Sequence, residues 1–99
     1  MKVRVTDDAK ADLRQIKAFI SGHSVSAAAI VIEHIRTTFT LLAFLPRLGH
    51  AGAVHDTFEK GVPRLPYLVV YRIDRADAGD EVVVLRVYHC AQDRSRDDT

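Results

Sequence analysis

The sequence predicts an α+β domain of order β-α-α-β-β-β, in which an antiparallel sheet is covered on one face by a helical hairpin. Three observations carry this reading. Apolar residues recur at helical spacing through about residue 45 and alternate with period two afterwards. The two helical stretches are separated only by Ser21-Gly22-His23-Ser24, a link short enough to force an antiparallel hairpin. The two strongest strands flank one short polar turn, which makes them a β-hairpin.

Each element follows from local chemistry. Val3 and Val5 alternate with Lys2 and Arg4 as a short first strand. Thr6 then precedes Asp7 and Asp8: a threonine oxygen accepts from free backbone amides, and acids suit the positive end of a helix. Ala9, Leu13, Ile16 and Ile20 place a buried stripe on a helix over about residues 7–21, widened by Phe19. A second helix spans about residues 25–45 and opens under Ser24 or Ser26. Its stripe is Ala28, Val31, Ile32, Ile35, Phe39, Leu42 and Leu45, and Pro46 ends it. Pro46-Arg47-Leu48-Gly49 is a turn, with Gly49 and Gly52 as turn glycines. Val54–Val62 is a weak strand and Leu65–Asp74 a strong one. Asp77-Ala78-Gly79-Asp80 turns the chain into Glu81–His89, which is β-branched almost throughout. Pro63 and Pro66 restrict their surroundings to a strand start or an edge. Residues 1–94 are one domain, and 95–99 are a short charged tail.

Composition excludes several classes. With 47% hydrophobic and 27% charged residues, the chain is expected to be neither disordered nor a membrane protein. The apolar run Leu41 to Leu45 is far from the ~20 residues that span a bilayer. The start, MKVRVTDDAK, is charged where an export signal needs an apolar core, so a cytoplasmic protein with no membrane contact is expected. Cys90 is the single cysteine, which forbids an internal disulfide and a cysteine-rich metal site; it reads as a small buried hydrophobe. The five histidines show no HxxH or HExxH spacing, so neither a metal nor a cofactor is expected. A net charge of +1 is too balanced to announce nucleic acid.

One helical layer covers one sheet face and leaves the other open, and strict alternation places Leu68, Val70, Arg72, Val84 and Arg86 there. An apolar surface with two arginines calls for a partner. Arg64, Arg72, Arg86 and Arg94 offer an anion-binding set for RNA or for a partner's acids. Lys10, Arg14 and Lys17 form a basic stripe on the first helix, read either as a solvated face or as a partner-binding edge. The candidate acid/base groups are His89, at the end of the last strand, and Glu59, the acid of the second strand placed to partner a base. Alternation puts His89 with Val83, Leu85 and Val87 on the core side. His23 and His34 are surface residues of the hairpin.

The stretches ADLRQIKAFISGHSVSAAA, LLAFLPRLG, TFEKGVPRLPYLVVYRID and VVVLRVYHCAQDR, in that order and spacing, resemble the ParE branch of the ParE/RelE toxin superfamily over about residues 1–94. The resemblance implies the β-α-α-β-β-β fold and a toxin silenced by a cognate antitoxin, ParD-like or other, in a hetero-oligomer that touches DNA only through the antitoxin. ParE-like members poison DNA gyrase without being enzymes; RelE-like members are ribosome-dependent mRNA endoribonucleases. The ribonuclease branch's catalytic arginine would fall near Leu68, which cannot stabilise a phosphorane, and its frequent tyrosine after the strand-end histidine is Cys90 here. The chain also departs from the ParE pattern: basic positions of its G-R-x-G-R and T-R-E segments are His50, Ala53 and Phe58. Phe58 is expected to favour an apolar pocket in the antitoxin. The expected partner-binding set is therefore Lys10, Arg14, Lys17, Phe58, Arg64, Leu68, Arg72 and Arg86.

Overall fold

A computed structural model describes residues 1–91. The chain runs β1 (Lys2–Val5), α1 (Asp7–Ser21), α2 (Val25–Phe44), β2 (His50–Ala51), β3 (Phe58–Gly61), β4 (Tyr67–Asp74) and β5 (Glu81–His89). The predicted Arg94 and the charged tail lie outside the described residues. The strands form one sheet in the order β1-β5-β4-β3-β2, with the helical hairpin on one face.

The helices start where their capping residues stand. Thr6 Oγ1 accepts from the Ala9 amide at 3.2 Å and opens α1; Ser24 Oγ accepts from the Ala27 amide at 3.1 Å and opens α2. Leu45 closes α2 one residue before Pro46. The α+β class and the hairpin on one face match the expectation. The sheet is mixed, however: β1 runs parallel to β5, while the other pairs are antiparallel. The two helices between β1 and the remaining strands supply the long crossover that a parallel pair needs. The weak strand expected over 54–62 shortens to β3, because residues 52–57 fold into a turn in which Gly52 N donates to Thr57 O at 2.8 Å. The expected glycine turn holds the two-residue β2, paired to β3 through His50↔Glu59 and Ala51↔Phe58.

The core joins Ala9, Ile35, Phe39 and Leu42 of the helices to Val62, Tyr67, Val69, Tyr71, Val82, Val84 and Val87 of the sheet side. Strict alternation fails on β5. Val70 pairs with Arg86 and Tyr71 with Val84, so Leu85 is an extra residue, a β-bulge. The bulge turns Val82 and Val84 inward with Val87 and moves Val83 to the outer face, against the expectation that Val84 lies outside and Val83 and Leu85 inside. Thr6 holds this site. Its amide donates to Val84 O at 3.1 Å, and its hydroxyl lies 2.9 Å from Val84 O and 3.1 Å from Leu85 O.

Two helix positions also differ from the apolar stripes. Phe19 is 72% exposed, and Leu45, the last residue of the α2 stripe, is 51% exposed. Thr38 takes a buried place instead; its hydroxyl donates to His34 O at 3.2 Å, which satisfies it inside the helix. α2 is long and apolar enough, by length and composition, to cross a membrane. Ile35, Phe39 and Leu42 lie in the core against the sheet, while Val25, Ile30 and Phe44 of the same helix are exposed.

Candidate functional site

The outer sheet face is roofed rather than bare. Val83 lies between Arg4 of β1 and Arg72 of β4 in the pairing register, and is fully buried although no helix covers it. Arg4 Nε donates to Glu81 at 3.0 Å and its Nη2 lies 3.6 Å from Asp74; Arg72 donates to both Asp74 oxygens at 2.6 and 3.2 Å. The long stems of these arginines cover apolar surface while their heads are paired at the rim. The hydrogen bond from Arg72 holds the Asp74 carboxyl below the usual carboxylate range. Leu68 and Val70 are likewise buried on this face, at 8% and 9% exposure. Val83 is thus closed over by the chain's own charges, and the buried Leu68 presents little area to a partner.

Arg86 is engaged too. Its guanidinium makes a two-pronged contact with Asp12 of α1, Nε to Oδ2 at 2.8 Å and Nη2 to Oδ1 at 3.0 Å. Asp12 Oδ2 also accepts from the buried Val87 amide at 2.9 Å. Beyond Val84, β5 has no β1 residue opposite it, so Asp12 supplies the acceptor that the missing strand would have given. The pairing raises the Arg86 pKa further above its ordinary value. The guanidinium carbon sits 4.9 Å over the Tyr88 ring. Sequence reading missed Asp12, although an acid within the apolar Ala9-Leu13-Ile16 stripe was a signal that a buried cation or amide faces it.

The two acid/base candidates are not brought together. Glu59 pairs with Val70 and His89 with Tyr67, and residues three apart on β4 face opposite sides of the sheet. Glu59 is buried on the outer side, where it accepts from the Ala53 amide at 3.2 Å and lies 3.5 Å from His50 Nε2. His89 lies on the helix side, as expected from alternation, but is exposed at the strand end. Its ring meets Tyr67 edge-on at 5.4 Å, and its Nδ1 accepts from the Ala91 amide at 3.0 Å. Cys90 is exposed rather than buried, since β5 has ended at His89. No group of three or more His, Cys, Asp or Glu side chains converges as a metal site among the described residues.

Of the remaining expected partner residues, Phe58 is half-buried, stacked on Tyr71 at 5.4 Å and packed against the core, so its ring mostly serves this chain's own fold. Tyr71 in turn fixes the loop after α2. Its buried hydroxyl donates to Pro46 O at 2.7 Å and accepts from the Gly49 amide at 3.0 Å, while burial pushes its phenol pKa up. Arg64 is exposed and has φ 66, a left-handed conformation unusual for arginine. It lines a groove with His34, Thr37, Thr38, Leu41, Val62 and Pro63. Lys10, Arg14 and Lys17 stand exposed along one edge of α1.

A family profile described as "ParE toxin of type II toxin-antitoxin system, parDE" matches residues 3–94. The chain belongs to the ParE toxin family. Its relatives place this ParE-family toxin in the same company. Y4kP of Sinorhizobium fredii, which bears a toxin's name, is 34% identical over 91 residues, covering 92% of this chain and 90% of its own. The structure titled "Chromosomal ParDE TA system from P. aeruginosa" superposes with TM-score 0.76 at 21% identity, over 90% of this toxin and 95% of that chain, a likeness of fold. The toxin-antitoxin complex RelBE2 from Mycobacterium tuberculosis gives TM-score 0.58 at 33% identity, over 89% of this toxin and 95% of that chain.

Proposed function

We propose that this ParE-family toxin arrests growth by binding DNA gyrase in the cytoplasm as a non-enzymatic inhibitor. A co-encoded, ParD-like antitoxin keeps it silent in a hetero-oligomer that meets DNA through the antitoxin. The observation that carries the non-enzymatic reading is the placement of Glu59 and His89 on opposite faces of the sheet. General acid/base cleavage of RNA needs both groups within reach of one phosphate. Further support comes from Leu68, a buried apolar residue where the ribonuclease branch would carry an arginine. The outer-face arginines Arg72 and Arg86 are each held by a carboxylate of this chain and are not poised for a phosphate. The antitoxin partner is supported by family membership and by the toxin-antitoxin titles of the structural relatives.

Two assays test this together. Purified toxin is expected to inhibit gyrase supercoiling of relaxed plasmid, with relief by the antitoxin, and to leave ribosome-bound message intact. Message cleaved at the ribosomal A-site and lost in His89→Ala, with gyrase unaffected, would overturn the proposal in favour of a RelE-type endoribonuclease.

A further inference from the structure

The groove between α2 and the turn that joins β3 to β4 has no part in the reading given above. Its volume is about 480 Å³, within the range of small-molecule sites. Leu41 of α2 forms an apolar wall with Val62 and Pro63 of the turn. Arg64 of the turn and His34 of the helix add polar groups from the two sides, and no acidic side chain lines the groove.

The backbone that carries Arg64 is held firmly. The Val62 amide donates to Tyr67 O at 2.9 Å, the Leu65 amide to Val62 O at 3.2 Å, and the Cys90 amide at the end of β5 to Pro66 O at 2.7 Å. Pro63 and Pro66 fix their own φ on either side. Within this frame Arg64 keeps φ 66, which glycine would adopt without strain. A strained backbone that still bears a long cationic side chain at a groove marks that side chain as the part with a use.

The neighbouring groups select the anion. The Thr37 hydroxyl donates to Glu33 O at 2.9 Å and the Thr38 hydroxyl to His34 O at 3.2 Å. Their protons are engaged within the helix, so they offer lone pairs and not donors to a ligand. A phosphate, with its many acceptor oxygens, would find few donors here. A planar carboxylate is matched by one guanidinium fork. Leu41, Val62 and Pro63 present no aromatic ring on which a base could stack, but they complement a short alkyl chain.

We propose that this groove binds a small aliphatic carboxylate. The Arg64 guanidinium takes the carboxylate two-pronged, His34 stands by as a second N–H donor, and the alkyl chain lies along Leu41, Val62 and Pro63. The bound acid bridges α2 to the β3–β4 turn. The inference is independent of the gyrase and antitoxin readings.

The test titrates the full-length toxin with hexanoate and follows the backbone amide chemical shifts. Saturable shifts are expected at His34, Thr37, Leu41, Val62 and Arg64, with a millimolar dissociation constant suited to so small a ligand. Acetate, which lacks the chain, and hexanol, which lacks the charge, should each bind about tenfold more weakly or worse. Arg64→Gly, chosen because glycine accepts the backbone there, should weaken hexanoate about 10–100-fold, as the loss of a charge-assisted pair implies. Arg64→Lys, which keeps the charge without the fork, should fall between. Arg47→Gln serves as a remote charge control and should change affinity less than about twofold. Hexanoate binding by Arg64→Gly within twofold of wild type, shifts that map to another part of the fold, or no saturable shift at all overturns the proposal. Hexyl phosphate binding more tightly than hexanoate makes this a phosphate site and overturns it as well.

Discussion

Replacing Asp12 by alanine tests whether one carboxylate closes the open end of β5. Asp12 accepts two hydrogen bonds from Arg86 and one from the Val87 amide, at 2.8–3.0 Å, and is only 9% exposed. Charge-assisted bonds contribute about 1.5–3 kcal/mol, and a buried amide left without an acceptor costs about 1–3 kcal/mol. The Arg86 side chain is 41% exposed, so water screens its share and the two figures do not add fully. The expected loss is about 2–4 kcal/mol, a large part of the roughly 5–15 kcal/mol that holds a domain of this size. At about 4–8 °C per kcal/mol, the melting midpoint should fall by roughly 8–30 °C in calorimetry. Asp12→Asn keeps one acceptor for Val87 and should lose about half as much. Asp12→Leu/Arg86→Met, which removes both charges, should recover stability relative to Asp12→Ala, because the uncompensated guanidinium is gone. A loss below about 1 kcal/mol for Asp12→Ala would refute the reasoning and place the β5 edge in contact with water.

Tyr71→Phe should cost about 1–3 kcal/mol by stranding Pro46 O and the Gly49 amide, and hydrogen exchange at Gly49 should accelerate. Gly49→Ala should destabilise by a similar amount, and Tyr71→Phe should not rescue it: a methyl group there would meet Glu59 O at 2.8 Å as well as the Tyr71 hydroxyl at 2.7 Å. Arg64→Gly should leave stability unchanged or raise it by up to about 1 kcal/mol in urea titration, because glycine adopts the left-handed backbone without strain. The Asp74 carboxyl is lowered in the folded state, so its contribution is complete above the unfolded value of about 3.9 and fades as pH falls through the lower folded value. Asp74→Asn should accordingly flatten the acid limb of the stability profile below about pH 4, with little change in its shape at neutral pH.

The helices, the strong β4–β5 hairpin and the single helical layer were legible because periodicity, capping residues and turn chemistry all agree over these stretches. The parallel sense of β1 was not, since a four-residue strand says nothing about its neighbour's direction. Nor was the bulge at Leu85 visible: Val82 to Val84 are equally suited to either face, and only pairing with β4 decides which one turns inward. The error in that register carried over to the outer face, where Val84 stood in place of Val83. For the candidate site, the arginines were found but their partners were not. Asp74 lies two residues from Arg72, while Asp12 reaches Arg86 across 74 positions of sequence. The basic α1 stripe was legible from spacing alone.

The guanidinium and carboxylate lattice above Val83 bears on the interval when the toxin has no companion. A naked valine- and leucine-rich surface would make newly released molecules adhere to one another before they found a target. A surface finished in alternating charge stays wetted. Freedom from clumping in that interval is thus written into the sheet.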